Sequence, residues 1–332
     1  MAVEREAEFW SREGDRIRCA LCPQRCLIAD GKRGLCGVRE NRAGRLTPLT
    51  YGRITGAHLD PIEKKPLYHF HPGSAILSIG SWGCNLSCGF CQNWHLSEGE
   101  TPTSRLSPRE AAALAERDVR LGNIGLAFTY NEPLIWYEYV LDTAELLHER
   151  GLKAVLVTNG EIEAEPLEAL LPHIDAMNVD IKAMGEDFYR RLCRGPADVP
   201  RRTVERAFGR CHVEVTNLLI PGENDSAAEV AALVDWAAGL SDRLPVHFSR
   251  YHPAHEMTAP ATPLGSLERA YALAREKLKY VYIGNASLPG ASDTHCPACG
   301  TVVVRRTGFA ATPALSETGG CHACGSEVDL VA

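Results

Sequence analysis

The stretch of sequence that decides the fold is Gly83-Cys84-Asn85-Leu86-Ser87-Cys88-Gly89-Phe90-Cys91-Gln92-Asn93-Trp94. Its cysteines have the spacing Cys-x3-Cys-x2-Cys. Thiols this close in sequence cannot bridge one another without strain, but they converge readily on one metal centre. Three thiolates can hold three irons of a [4Fe–4S] cluster and leave the fourth iron open, since a closed cluster takes four thiolates. The alternative is a zinc ion on the three cysteines and a histidine such as His95.

Eleven of the thirteen cysteines lie in three compact groups, and the triplet is one of them. The C-terminal group consists of two Cys-x2-Cys-Gly knuckles, with the cysteines Cys296, Cys299, Cys321 and Cys324. Two such knuckles predict a tetrahedral four-thiolate site of the zinc-ribbon or rubredoxin type. Zinc is our first choice for this site, and iron is the rival because the geometry suits both metals.

The N-terminal group has the spacing Cys-x2-Cys-x3-Cys-x9-Cys and consists of Cys19, Cys22, Cys26 and Cys36. It predicts a second bound metal, which is either a structural zinc or a second [4Fe–4S] cluster. Cys193 and Cys211 stand alone in the sequence, and we interpret both as ordinary core cysteines.

From about residue 75 onward, short β-branched runs alternate with amphipathic stretches. The predicted strands are Ser74–Ile79, Ile124–Tyr130, Lys153–Thr158, Ala176–Ile181, Val213–Ile220, Val246–Ser249 and Val281–Ile283. The predicted helices are 107–121, 133–150, 226–240 and 266–277. This alternation predicts an α/β fold with a parallel sheet and outer helices, as a partial or complete (βα) barrel. Parallel barrels carry their reactive residues at the carboxyl ends of the strands.

Polar residues follow the predicted strands at those ends. They are Asn131 and Glu132, Thr158 and Asn159, Asp180 and Lys182, and His252. Because the triplet also follows a strand, we expect all of these side chains to meet at one site.

The composition limits the remaining choices. The 332 residues carry a net charge of −7 and have a mean hydropathy of −0.16, so a general nucleic-acid-binding role is disfavoured. No apolar run is long enough to span a membrane, and we expect a cytoplasmic protein. The expected domains are a cysteine-rich metal-binding segment (1–73), the barrel (74–290) and a C-terminal four-cysteine ribbon (291–332).

The triplet, with the aromatic Phe90 before its last cysteine, resembles the radical S-adenosylmethionine (radical SAM) superfamily. The resemblance implies a radical SAM barrel in which the [4Fe–4S] cluster of Cys84, Cys88 and Cys91 binds S-adenosylmethionine (SAM). Further motifs are similar to those of glycyl-radical activating enzymes, whose Gly-Gly-Glu-type turn reads Thr129-Tyr130-Asn131-Glu132-Pro133 here and keeps only the glutamate and proline. By this resemblance, the SAM-binding residues are Phe90, Asn131, Glu132, Thr158, Asn159, Asp180, Lys182 and His252.

Nearly the whole chain resembles the radical SAM protein of the AmmeMemoRadiSam system, which is related to pyruvate formate-lyase activating enzyme. The stretches on which this resemblance rests include residues 19–39, 61–70 and 83–94. This resemblance implies an electron donor such as flavodoxin or ferredoxin, and association with Memo-like and AMMECR-type proteins. It implies an enzyme that cleaves SAM reductively to a 5′-deoxyadenosyl radical, which abstracts hydrogen from a substrate.

Two other hypotheses remain open. Within the same class, the chain could be an activase that acts on the backbone of a partner glycyl-radical enzyme. In a different class, it could be a multi-metal electron-transfer protein or zinc scaffold without SAM chemistry.

Overall fold

A computed structural model describes residues 5–332. The N-terminal part forms small antiparallel sheets. Its strands are β1 Trp10–Glu13, β2 Arg16–Cys19, β3 Leu27–Ile28, β4 Arg39–Arg42, β5 Arg45–Pro48 and β6 Arg53–Ile54. The order β1-β2-β3 makes one sheet, and β4 pairs with β5 in another. The four N-terminal cysteines lie within and between these strands.

An eight-stranded sheet forms the centre of the molecule. Its strands are β7 Gly56–Pro61, β8 Ala75–Gly80, β10 Asn123–Phe128, β11 Lys153–Thr158, β12 Ala176–Asp180, β13 His212–Leu219, β14 Val246–Arg250 and β15 Val281–Gly284, while the short β9 Ser104–Arg105 pairs with β6. The order is β15-β14-β13-β12-β11-β10-β8-β7. Strands β8 to β15 run parallel, and β7 adds antiparallel to β8. The predicted α/β fold with a partial parallel barrel is therefore confirmed.

Helices cover the outside of this sheet. They are α1 Trp94–Ser97, α2 Pro108–Arg117, α3 Tyr137–His148, α4 Ala164–Leu170, α5 Glu186–Phe188, α6 Asp198–Ala207, α7 Ala227–Leu240 and α8 Leu264–Arg275. Helix α2 begins at a capping box, in which Ser107 Oγ accepts from Glu110 N at 3.3 Å and Glu110 Oε2 accepts from Ser107 N at 2.8 Å. In residues 5–332, no helix is both long and apolar enough to cross a membrane.

The C-terminal ribbon consists of β16 Thr294–His295, β17 Val302–Thr307 and β18 Ala310–Pro313, which pair antiparallel. A small core of its own surrounds the buried Cys296 and Cys321. The domain division at 73/74 and 290/291 stays a prediction. Strand β7, which precedes the first of these boundaries, is part of the central sheet.

Candidate active site

A cavity of about 240 Å³ opens at the carboxyl ends of the central strands. Its lining includes the triplet and most of the residues that the sequence placed at strand ends: Cys84, Cys88, Phe90, Cys91, Asn131, Glu132, Thr158, Asn159, Asp180 and Lys182. The structure thus brings ten of the eleven residues predicted to bind the cofactor to one place. Within the described chain, the lining does not include His252, which is exposed and offers its backbone carbonyl to Gln92 Nε2 at 2.9 Å.

The three cysteines of the triplet occupy a loop directly after β8 and are each half-buried. The amide of Leu86 donates to Cys84 Sγ at 3.4 Å, and Asn159 Nδ2 donates to the same sulfur at 3.5 Å. Donors of this kind stabilise thiolates and tune an iron–sulfur cluster. The loop is fixed to residues 189–193, since Ser87 N donates to the Cys193 carbonyl at 2.9 Å.

The donor set fits a cluster with one open iron. A single zinc ion needs ligand atoms that lie close together. In the part of the chain that the structure describes, the triplet is not a group in which all ligand atoms lie within 4.8 Å of one another. His95, the fourth ligand of the zinc alternative, is exposed and lies outside the cavity lining of residues 5–332. The three sulfurs therefore fit a larger centre, with the remaining side open to the cavity.

Cys193 was interpreted as an isolated core cysteine, but it lies behind the triplet. It is fully buried, and its thiol hydrogen-bonds to Cys88; this bond and burial raise the pKa of Cys88 well above its usual value. Cys193 does not line the cavity in the described chain, so it contacts Cys88 from outside the cavity. Its position depends on the turn of π-helix at 189–193, which no local pattern in the sequence indicates.

Glu132 joins two strand ends beside the triplet. Its Oε1 accepts from Thr158 Oγ1 at 2.6 Å and from Leu134 N at 2.9 Å, and its Oε2 accepts from Asn159 N at 2.8 Å. Burial raises the pKa of Glu132 to about 7, against the lowering effect of these donors. The carboxyl group is thus rigidly oriented at the cavity wall, and it holds a proton more readily than an exposed glutamate.

The turn before Glu132 has a glycine-like backbone although it contains no glycine. Tyr130 lies in the left-handed region with φ of 74°, where side chains are disfavoured. Its hydroxyl donates to Asp60 Oδ2 at 2.6 Å, and Lys65 Nζ lies 4.8 Å from the centre of its ring. The 61–70 stretch therefore contributes to the site by holding this turn. Asn131 fixes the turn to the triplet loop, because its amide donates to the carbonyls of Trp82 and Gly83 at 3.2 Å.

A lysine provides the positive charge of the cavity. Lys182 Nζ lies 3.0 Å from Asp180 Oδ2 and 5.9 Å from the centre of the Phe90 ring. Burial alone would lower the pKa of Lys182, but Asp180 and Cys88 raise it well above its usual value. The ammonium group therefore stays charged and can bind an anionic group in the cavity.

Glu161 was missed in the sequence, although it directly follows Thr158-Asn159-Gly160. It is 1% exposed, and neither carboxyl oxygen has a hydrogen-bond partner within residues 5–332. Burial raises its pKa to about 9, and the nearby Glu132 contributes to this rise. Glu161 is therefore protonated and neutral at pH 7.

The two predicted four-cysteine groups differ in geometry. At the C-terminus, Sγ of Cys296 lies 3.7 Å from Sγ of Cys324, and Sγ of Cys299 lies 3.7 Å from Sγ of Cys321. All four sulfurs lie within 4.8 Å of one another, which confirms the predicted four-cysteine cluster. At the N-terminus, Cys19, Cys22, Cys26 and Cys36 line one small cavity but do not form such a group in the described chain.

Comparison with known proteins identifies the class. Residues 79–234 match the Radical SAM superfamily, so the chain contains a radical SAM superfamily domain. Such a domain implies a [4Fe–4S] cluster and SAM as cofactors, and superfamily members are enzymes. Over 338 aligned residues the chain is 40% identical to an uncharacterized protein of Methanocaldococcus jannaschii, covering 98% of this chain and 99% of that protein. The chain belongs to the same family as that archaeal protein.

Two further comparisons agree with this class. The pyruvate formate-lyase-activating enzyme of Clostridium pasteurianum is 25% identical over 177 residues, which cover 51% of this chain and 72% of the enzyme. The crystal structure of a radical SAM methyltransferase from Sphaerobacter thermophilus has a TM-score of 0.52 at 20% identity, covering 70% of this chain and 71% of that chain. This second likeness shows the fold alone.

Proposed function

We propose that the chain is an enzyme that cleaves SAM reductively to a 5′-deoxyadenosyl radical, which then abstracts hydrogen from a substrate. The carrying observation is that the half-buried thiols of the triplet line one cavity at the carboxyl ends of the strands, together with Glu132 and Lys182. A [4Fe–4S] cluster on Cys84, Cys88 and Cys91 would supply one electron to the sulfonium and hold the methionine end of SAM at its open iron.

Different residues of the cavity wall bind different parts of SAM. The oriented carboxyl group of Glu132 accepts a hydrogen bond from the amino group of the methionine part, and the ammonium of Lys182 binds the carboxylate. Thr158 and Asn159 act through Glu132, since both donate to it and hold it in place. Phe90 shields the centre from water. His252 would contact the nucleoside, and because it lies at the exposed rim, this contact requires the 252–258 segment to close over the bound molecule.

Replacement of one triplet cysteine tests the function. We expect Cys88→Ala to abolish 5′-deoxyadenosine formation by the anaerobically reconstituted, reduced protein and to lower its iron content by about four per chain. The control Cys211→Ala removes a cysteine that lies outside all three groups, and it should retain both properties. Formation of 5′-deoxyadenosine by Cys88→Ala would contradict the assignment of the cluster to the triplet. Wild-type protein whose electron paramagnetic resonance (EPR) signal SAM does not alter would support the electron-transfer or zinc-scaffold alternative.

The similarity to the activating enzyme of Clostridium pasteurianum favours one second candidate, an activase of a partner glycyl-radical enzyme. A glycyl EPR doublet on a partner protein, formed only in the presence of SAM and the wild-type chain, would identify this activity. Its absence with all candidate partners, while SAM is still cleaved, would favour a different substrate.

Other expectations complete the proposal. We assign the chain to the AmmeMemoRadiSam group in the cytoplasm, with flavodoxin or ferredoxin as electron donor and Memo-like and AMMECR-type proteins as functional partners. We assign a single tetrahedral ion, with zinc as first choice, to the C-terminal site, because metal–thiolate bonds of about 2.3 Å place the sulfurs about 3.8 Å apart, close to the 3.7 Å measured for two of the pairs. Co-purification of the chain with a Memo-like protein, and zinc analysis, test these two assignments.

A further inference from the structure

The N-terminal cysteines are built as a ligand set. Cys19, Cys22, Cys26 and Cys36 line one cavity, which apolar side chains such as Leu21, Ile28 and Ile135 close. The backbone N–H of Leu35 donates to Cys26 Sγ at 3.3 Å. The backbone N–H groups of Leu21, Gln24 and Val38 lie near the sulfurs of Cys19, Cys22 and Cys36, respectively. Such donors stabilise metal-bound thiolates, and an ordinary buried thiol has no need of them.

The N-terminal sulfurs are arranged differently from those of the C-terminal site. Four thiolates on one zinc lie about 3.8 Å apart, and the C-terminal group has this geometry. In residues 5–332, the N-terminal cysteines are not a group of three or more with all sulfurs within 4.8 Å. We propose that Cys19, Cys22, Cys26 and Cys36 hold a second iron–sulfur cluster of the [4Fe–4S] type, closed by four protein thiolates. A cube of metal and sulfide accommodates thiolates that do not all lie within the reach of one ion.

The charge around the cavity suits this cluster. Four thiolates on an iron–sulfur cube have a net negative charge, which is costly to bury without compensation. Arg39 lines the same cavity and is 1% exposed, and the described structure contains no partner for its Nε. Its Nη2 lies 2.9 Å from Glu138 Oε1, and this pair fixes the guanidinium in place. The charge of Arg39 is balanced by Glu138, and its Nε–H offers a buried donor that can point toward the cluster.

The second cluster would share a wall with the triplet. The side chain of Asn85 lies near Cys22 and accepts from Asn159 Nδ2 at 2.9 Å, and Asn159 Nδ2 in turn lies 3.5 Å from Cys84 Sγ. At Gly83, a Cβ atom would lie only 2.6 Å from the Cys36 carbonyl, so the two cysteine loops touch. This contact explains why a glycine precedes Cys84.

This proximity gives the second cluster a role, and this step rests on the proposed function. A reduced flavodoxin or ferredoxin gives one electron to the N-terminal cluster. That cluster then returns to its oxidised 2+ state as it passes the electron to the cluster on the triplet, which changes from 2+ to 1+. The balance is one electron in and one electron out, with no bond formed or broken at the N-terminal site.

The triple variant Cys84→Ala/Cys88→Ala/Cys91→Ala isolates the N-terminal site and tests its metal. After anaerobic reconstitution, we expect about four irons and four sulfides per chain, one zinc at the C-terminal site, and a [4Fe–4S] EPR signal that SAM does not alter. A second zinc in place of iron, or four free thiols without metal, would overturn the proposal. The result does not depend on SAM chemistry, so failure of the proposed function leaves it interpretable.

The shared wall is tested by the EPR spectrum of the fully reduced wild-type chain. Two reduced clusters this close should couple magnetically, so the EPR spectrum should be broader than the sum of the spectra of the triple variant and of Cys26→Ala. The Cys211→Ala chain, as control, should retain the coupled spectrum. A wild-type spectrum equal to that sum would overturn the relay, and total iron of about four per chain would overturn the second cluster itself.

Discussion

The two ends of the chain offer the same four donor atoms in different arrangements. In the C-terminal ribbon, two knuckles bring the sulfurs into contact, and two of the cysteines, Cys299 and Cys324, remain exposed. In the N-terminal segment, the sulfurs are spread around a cavity whose wall includes Ile135 of the barrel. Both groups contain a Cys-x2-Cys unit, so short sequence spacing does not decide the metal. The tertiary arrangement of the other two cysteines decides it.

The largest expected effect is loss of the ribbon. Structural zinc contributes on the order of 10 kcal/mol to the folding of small zinc domains, and the apolar core of this ribbon consists of a few side chains around Cys296 and Cys321. We expect Cys321→Ser to lose its zinc and to become sensitive to proteolysis within 291–332, while its iron content stays unchanged. Metal analysis and limited proteolysis measure both effects. Loss of iron in this variant, or retention of zinc, would contradict the distinction between the two ends.

Each end is also attached to the barrel by one buried arginine. Arg39 pairs with Glu138 of α3, and both side chains are almost fully buried. In the ribbon, Arg306 donates to the Tyr68 carbonyl at 2.6 Å and to Thr294 Oγ1 at 2.8 Å, and its Nε lies 3.6 Å from Glu63 Oε1. The two attachments differ in their acidic partner, because burial raises the pKa of Glu63 in spite of Arg306.

Replacement of Arg306 is expected to have an intermediate effect. Removing one partner of a buried pair costs about 3–5 kcal/mol, because the other partner is left uncompensated. We expect Arg306→Met to lower the free energy of unfolding by that amount in urea titrations and to loosen the ribbon without releasing its zinc. Since Glu63 accepts a proton readily, Arg306→Met/Glu63→Gln should recover part of the loss. Equal stability of the single and double variants would show that Glu63 takes no part in the attachment.

The sequence predicts the barrel well because its signals are local. Strand β11 lies at the predicted residues, and α2 begins after the Ser107 cap, where the predicted helix 107–121 begins. The cysteine knuckles were recognised for the same reason, since Cys-x2-Cys-Gly defines its own turn. The antiparallel strand β7 was not predicted, because it is stabilised by pairing with β8 rather than by a pattern of its own.

The unpredicted parts of the site depend on contacts between distant residues. The left-handed backbone of Tyr130 is held by Asp60 and Lys65, some 65 to 70 positions earlier in the chain. Cys193 reaches Cys88 from a distant turn of π-helix. The arrangement of the N-terminal sulfurs depends on the end of β2, the β2–β3 connection and the β3–β4 connection. None of these relations leaves a periodic pattern, so sequence alone leaves the N-terminal metal undecided between zinc and iron.

The smallest expected effect is a pH-dependent loss of stability, which distinguishes the attachment of the ribbon from the attachment of the N-terminal segment. His69 is fully buried where the C-terminal tail meets the barrel. Its Nδ1 donates to the Asp329 carbonyl at 2.6 Å, and its Nε2 accepts from the Tyr282 hydroxyl at 2.6 Å. Burial lowers the pKa of His69 to about 4, against the raising effect of Glu214, and Arg306 lowers it slightly further. The neutral ring thus satisfies both neighbours, whereas a protonated Nε2 would oppose the Tyr282 hydroxyl.

The sign of the pH effect follows from the lowered pKa. The unfolded chain binds a proton at His69 below about pH 6.5, whereas the folded chain does so only near pH 4, so stability is full above pH 6.5 and is lost as the pH falls toward 4. The loss is on the order of 3 kcal/mol. We expect His69→Gln to lose less stability than the wild type over this interval in urea titrations at stepped pH. Both chains lose zinc on acidification, so the difference between them isolates the histidine, and His58→Gln, at an exposed position, should follow the wild type. If His69→Gln and the wild type had parallel pH profiles, the acid sensitivity of the ribbon would come from its thiolates alone, and the two attachments would respond to pH in the same way.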